Sequence, residues 1–426
     1  MKQSQKLKQN IVIGNYDNQL RDLYVDEGTL VYQKKRYIEA ITTFEQIYGE
    51  GEAVIFSAPG RSEIGGNHTD HQRGEVLAAA VNVDAIAVVR PVSEDVIRIV
   101  SGDTPMLTCS LAELSKKEQE EGTTLALVKG VVVGIRERGY RIGGFSAYIT
   151  SDVLIGAGLS SSAAFETLIG TIVSGLYNEG DISATEIAEI GQYAENVYFG
   201  KPCGLMDQLA SSVGNLVHID FSGKDEPKFE KIECEFDKFG YSLCITDTKS
   251  SHADCTPEYA AVPFEMRKVA AICGKEVLGQ VSQAELFEHI SEIREEAGDR
   301  AMLRAIHFFE ENKRVRMETE ALKNEDFEEF LRQVKASGDS SFKYLQNVYI
   351  SSDVKHQNVS LALAVSDMML DRAGVSRVHG GGFAGTIQAF VTNESVDVYQ
   401  NRMNQLFGEG SCNIYKIRKY GARKVF

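Results

Sequence analysis

The chain has 426 residues, 43% of them hydrophobic and 25% charged, with a formal net charge of −16. That length supports two domains or one large one, each with a real core. The acidic balance argues against nucleic acid or an anionic membrane surface as the main partner.

The opening MKQSQKLKQN is polar and has no apolar segment, so it does not read as a secretory signal. Residues 1–50 read as helices and turns, with Ile38 to Gly49 amphipathic. Val54 to Ser57 reads as a short strand, followed by a polar loop from Gly60 to Gly74 and by strands over 75–101. The longest apolar run, Val76 to Val89, carries Asn82 and Asp84 and is too short to span a bilayer. Thr124 to Arg138 reads as a helix and Phe145 to Thr150 as a strand. A glycine- and serine-rich turn then leads into a helix from about Ser161. Ile182 to Phe199 reads as helical, Leu216 to Phe221 and Tyr241 to Thr246 as strands, Pro263 to Leu370 as mostly helical, and Thr386 to Val391 as a strand. Mixed helix and strand indicate an α/β or α+β protein. The seven cysteines show no CxxC spacing and read as reduced thiols of a cytoplasmic protein.

Three segments carry candidate chemistry. Gly156-Ala157-Gly158-Leu159-Ser160-Ser161-Ser162-Ala163-Ala164 lies between a strand and a helix. Small residues there let backbone N–H groups approach phosphate, and the helix start adds positive potential. A serine-glycine turn with a helix cap is the bland alternative. It is not a Walker A loop, because the Gly-Lys pairs of the chain precede Pro202, Asp225 and Glu276. Gly60 to His71 crowds Arg61, Glu63, Asn67, His68, Asp70 and His71 into one glycine-rich stretch suited to sugar hydroxyls. His68-x-Asp70-His71 also matches part of a zinc motif, but Gly66 stands where a further histidine is needed. In Glu195 to Gln208, Glu195 sits on a helix and Asp207 follows Gly204 across a turn. Taken alone, these two acids read as a solvated helix face and a helix cap.

Taken together, the motifs resemble the galactokinases, within the superfamily that includes homoserine and mevalonate kinases (the GHMP kinases). Gly158 to Ala164 matches the family's phosphate loop, and Cys203-Gly204-Leu205-Met206-Asp207-Gln208 and Gly380 to Gly385 are similar to two further motifs. Arg61, His68, Thr69 and Asp70 match the galactokinase signature. The resemblance implies an α+β, two-domain GHMP kinase fold: an N-terminal α/β domain and a C-terminal ferredoxin-like domain, with the active site between them. The expected segments are a helical extension over 1–50, a sugar- and ATP-binding domain over 51–230 and a GHMP kinase domain over 231–426.

The resemblance further implies ATP-dependent phosphorylation of the anomeric hydroxyl of galactose. The alternatives are a 1-kinase for galacturonate, arabinose or an N-acetylated galactose, and a non-catalytic sugar sensor. Asp207 and Arg61 are implied to be catalytic, and Asn67, His68, Asp70, Gly204 and Tyr259 to bind the sugar. Gly156, Gly158, Leu159, Ser160, Ser161, Ser162 and Ala163 are implied to bind ATP, and Ser162 and Glu195 to hold Mg²⁺. The implied protein is a cytoplasmic monomer. Glu63, Asn67, His71 and Leu154 depart from the family pattern, and the basic pair that usually follows Tyr259 is missing. A neutral Asn67 in place of a glutamate leads to the expectation of weaker discrimination at C6 of the sugar.

Overall fold

A computed structural model describes all residues except 155–157, 224–226, 250–255 and 384. The chain forms two compact units that are discontinuous in sequence. One comprises residues 1–61, 80–215 and 417–426, the other 62–79 and 216–416. Strand pairing explains the interleaving. Residues 75–79 pair with Leu216–Asp220, whereas residues 85–91 of the same strand pair with Phe145–Ser151. The C-terminal tail returns to pair Arg423 with Ser57.

In the first unit, alternation along the strands sends residues to two apolar layers. Val54, Phe56, Ala58, Ala85, Ala87 and Val89 enter one core, together with Val128, Val132, Leu168, Ile172 and Ile190 from helices Thr124–Glu137, Ser161–Tyr177 and Ala184–Tyr193. Ala53, Ile55, Ile86 and Val88 enter the other, which is closed by helices Ser4–Val12, Asp17–Tyr24 and Leu30–Tyr48 and by Val425 and Phe426. A strand buried on both faces reads as a continuous hydrophobic run, and this accounts for Val76 to Val89.

The strand predicted over Val54 to Ser57 runs over Glu52–Gly65, and its residues Ser62 to Gly65 are buried. The polar stretch expected as a loop over 60–74 is therefore strand up to Gly65 and loop only from Gly66 onward. Its charged side chains find protein partners, and the Arg61 N–H bonds to the Leu159 carbonyl at 3.0 Å. The helix predicted over Ile182 to Phe199 is α-helical over Ala184–Tyr193, with a capping box from Ser183 and Glu186, and then widens into a π-turn over Ala194–Phe199.

The second unit contains a four-stranded antiparallel sheet in the order Gly374–His379, Thr386–Thr392, Tyr241–Asp247, Cys412–Tyr415. With helices Asn358–Leu370 and Val396–Phe407, the chain order is the β-α-β-β-α-β of a ferredoxin-like sheet, with the helices Thr256–Ile272 to Phe327–Ser340 inserted after its first strand. Gly374–His379 lies in a region whose strand character was missed, because it follows directly on a long helical pattern.

Asp84 is fully buried in the first unit. It accepts hydrogen bonds from Arg36 Nη1 at 2.7 Å, Arg418 Nη1 at 2.9 Å and Tyr24 Oη at 2.9 Å, and from the Ser57 hydroxyl. Burial alone would raise its carboxyl. Arg36 and Arg418 overcome this and hold it below the usual carboxylate range. Asp84→Asn leaves two buried guanidinium groups without their shared carboxylate. It is expected to destabilise the protein by about 3–5 kcal/mol, measured by chemical denaturation. The contribution of Asp84 is complete above an unfolded-state pKa of ~4 and is lost as pH falls through the lower folded-state value. The acid side of the stability profile should therefore flatten in the variant.

Candidate active-site residues

In the first unit, Asp207 occupies the first turn of helix Met206–Val213. Its carboxylate accepts from Arg61 Nε at 2.6 Å and from Ser160 Oγ at 2.6 Å. Arg61 Nη1 also donates to the Gly158 carbonyl at 2.5 Å, so one guanidinium ties the acid to the glycine-serine turn. Ser160 stands immediately before helix Ser161–Tyr177 in the left-handed region, at φ 55°. A non-glycine residue is strained there, and that backbone is the one whose hydroxyl bonds Asp207. Burial pushes the Asp207 carboxyl up. Arg61 first, then Ser160, outweigh it and bring the group below its ordinary range. Asp207 is an anion at neutral pH and a weak base.

Glu195 is buried in the π-turn. Its Oε1 accepts from Ser162 Oγ at 3.2 Å and pairs with Lys201 Nζ at 3.0 Å, while its Oε2 accepts from Gln208 Nε2 at 3.0 Å. Gln208 Nε2 also donates to Glu166 at 3.0 Å. Burial, then the neighbouring Glu195, push Glu166 up to about 8. Glu166, Lys201 and Gln208 were missed as members of this cluster. The available signal was helical spacing, since Glu166 lies four residues after Ser162 on one face of a helix.

A cavity of about 840 Å³ adjoins this cluster. Ile99, Leu127, Ile149 and Phe165 give it apolar walls, and the hydroxyl residues Ser161 and Ser162 line it as well. Leu159 and Ala163 are buried and pack as core side chains. Gly158 is exposed in the turn, and Gly204 lies in the irregular segment before Asp207. Gly156 lies outside the described residues.

In the second unit, His68, Asn67 and Tyr259 converge on the backbone of Gly380 to Gly382. His68 Nε2 meets the Gly381 carbonyl at 3.0 Å, Asn67 Nδ2 the Gly380 carbonyl at 2.6 Å, and Tyr259 Oη the Gly382 carbonyl at 2.8 Å. A Cβ on Gly381 would lie 2.1 Å from the Tyr259 ring, so this contact requires glycine. Burial holds the His68 imidazole below its usual range, so it is neutral and donates through Nε2. Asp70 is partly exposed. Its Oδ2 lies 3.7 Å from His71 Nε2.

Asn67, expected at the sugar, is bound on every side by protein here. Its side chain is fully buried and its amide is consumed by protein. Nδ2 also donates to Glu63 at 3.1 Å, and Oδ1 accepts from Asn347 at 2.8 Å and Ser341 at 3.3 Å. Glu63 in turn pairs with Arg377, which is buried in strand Gly374–His379. Arg377 is a structural partner the sequence reading overlooked.

The galactokinase galactose-binding signature matches residues 42–91, and the GHMP kinases N terminal domain matches residues 126–215. The galactokinase of Glaesserella parasuis serovar 5 is 33% identical over 362 residues, covering 84% of this chain and 90% of that one. That of Streptomyces coelicolor is 28% identical over 374 residues, covering 88% and 94%. Among solved structures, Lactococcus lactis galactokinase complexed with galactose superposes with a TM-score of 0.75 at 23% identity, over 90% of this chain and 98% of that one. A mevalonate kinase superposes at 0.60 and 18% identity, over 86% and 99%. These two likenesses establish the GHMP kinase fold. With the signature match and the identity to the curated relatives over most of their length, the chain belongs to the galactokinase family.

Proposed function

We propose that the protein transfers the γ-phosphoryl group of ATP to the C1 hydroxyl of galactose, giving galactose 1-phosphate and ADP. The observation that carries this reading is the Arg61–Asp207–Ser160 cluster, which places an ionised acid and a fixed cation against the glycine-serine turn. Phosphoryl transfer requires positioning and charge stabilisation more than covalent catalysis. Asp207 accepts the hydrogen bond of O1–H and so orients that oxygen for attack. As the O1–P bond forms and the β–γ bridging P–O bond breaks, the O1 proton passes to Asp207 or to water. Arg61 keeps Asp207 ionised and offsets negative charge near the transferring group. The 840 Å³ cavity offers apolar walls for the base and hydroxyl groups for phosphates.

Ser162 and Glu195 present two oxygens suited to a hard cation. Lys201 Nζ pairs with the same Glu195 oxygen at 3.0 Å. A Mg²⁺ held by these residues would neutralise phosphate charge. We assign sugar recognition to Asp70 and His68, with Tyr259 shaping the glycine backbone beside them. Asn67 acts on the sugar only through the segments it fixes. Wild-type ADP release on a panel of galactose, galacturonate, arabinose and N-acetylgalactosamine tests the reading. Release dependent on galactose supports it, and release that no sugar stimulates overturns it.

Asp207→Asn should fold normally, as judged by circular dichroism, and lose about 10²–10⁴-fold in kcat. Glu195→Gln should raise the Mg²⁺ concentration needed for half-maximal rate while leaving the KM for galactose near wild type. A Mg²⁺ titration at fixed ATP reads this, and a change confined to galactose would place Glu195 with the sugar instead. Asn67→Glu sets a second carboxylate against Glu63 and removes the amide donor that Glu63 uses. It should lower the thermal midpoint, and adding Glu63→Asn should recover part of that loss, giving a non-additive double-mutant cycle.

A further inference from the structure

The galactose-binding signature begins at residue 42, so most of the N-terminal helical segment lies ahead of the family's matched regions. Two of its side chains nevertheless reach the segment that leads to the nucleotide cavity. Tyr32 Oη donates to Asp152 Oδ1 at 2.9 Å, and Arg36 Nη1 pairs with Asp152 Oδ2 at 3.0 Å. Arg36 Nη2 also donates to the Thr150 carbonyl at 3.3 Å. The Asp152 N–H bonds to the carbonyl of Asp84 at 2.9 Å, and the Asp84 carboxylate is itself bound by Arg36. Asp152 is thus held at both carboxylate oxygens and at its backbone. Its neighbours Ser151, Val153 and Leu154 line the cavity.

We propose that Tyr32 and Arg36 are positioning residues for the nucleotide, acting through Asp152 on the cavity wall formed by Ser151 to Leu154. The proposal rests on the reading of that cavity as the ATP site. Attachment of the helix does not explain the Tyr32 bond. Helix Leu30–Tyr48 is already fixed by Tyr37, Ile41 and Phe44 in the apolar layer and by Arg36 on Asp84. Tyr32 is 53% exposed, and an exposed polar contact adds little to global stability. What the bond does restrict is Asp152, and through it the wall of the cavity. Positioning of this kind appears in binding and turnover rather than in unfolding.

The test compares wild type, Tyr32→Phe and Asp152→Ala for ADP binding by titration calorimetry, for KM of ATP and of galactose, and for thermal midpoint. Tyr32→Phe removes one hydroxyl and should weaken ADP binding and raise KM for ATP by about three- to tenfold. KM for galactose and the thermal midpoint should stay at wild-type values. Asp152→Ala should give a larger nucleotide effect in the same direction. Variants that bind ADP as wild type does overturn the proposal. So does a shift in which the galactose constant and the thermal midpoint move together with the nucleotide constants, because that is general loosening. A wild-type protein that turns over galactose and ATP normally, alongside variants that do too, removes this inference and leaves the assigned function standing. A wild type that binds no ADP removes both.

Discussion

The first unit depends on one buried carboxylate shared by two buried arginines. Asp84 sits on a central strand, Arg36 on the third N-terminal helix and Arg418 on the C-terminal tail, and Ser57 and Tyr24 complete the shell. Three segments far apart in sequence must come together before all of these charges are satisfied. Removing either kind of partner strands charge in a dry core, so the cluster tolerates no partial assembly. The apolar layer around it is less demanding, because Leu, Ile and Phe can repack where a buried ion cannot. Arg36 extends the constraint outward, since the guanidinium that satisfies Asp84 also pairs with Asp152, whose neighbours line the 840 Å³ cavity.

A second electrostatic choice bears on the proposed chemistry. Asp207 is stabilised as an anion by the same Arg61 that bonds the glycine-serine turn. A depressed carboxyl is a poor proton acceptor in the ground state. It suits a reaction in which the hydroxyl becomes acidic only as its bond to phosphorus forms. The left-handed backbone of Ser160 places strain where Asp207 gains its second hydrogen bond. The neighbouring pair of acids is set apart. Glu195 carries Lys201 and Ser162, whereas Glu166 is buried among carboxylates and pushed up to about 8. One acid is thereby available to a cation and the other is held neutral.

Much of this was legible in the sequence where a local rule and a motif agreed. The glycine-serine turn before a helix, the helix over Thr124–Glu137 and the strands Phe145–Ser151 and Tyr241–Asp247 follow from periodicity and turn residues. The family resemblance located Asp207, Arg61, Ser162 and Glu195, and in the structure they form two bonded pairs. The errors share a cause: a polar side chain was read as facing solvent or substrate when its partner lay hundreds of residues away. Ser62 to Ile64 continue a buried strand because Arg377 takes up Glu63 and the Ile64 carbonyl. The protein partners of Asn67 were hidden in the same way: Gly380, Asn347 and Ser341, together with Glu63, bond its amide. No local pattern reports such long-range satisfaction. The discontinuous units were hidden for the same reason, since one strand changes partners along its length.

The position of the transferred phosphate tests the central claim most directly. Incubation of the protein with ATP, Mg²⁺ and galactose, followed by ³¹P NMR with proton coupling retained, reports which sugar carbon carries the product phosphate. The account predicts one new phosphomonoester resonance coupled to the anomeric proton, appearing in step with ADP. A phosphate coupled to the C6 protons, or inorganic phosphate and ADP with no sugar phosphate, would contradict it.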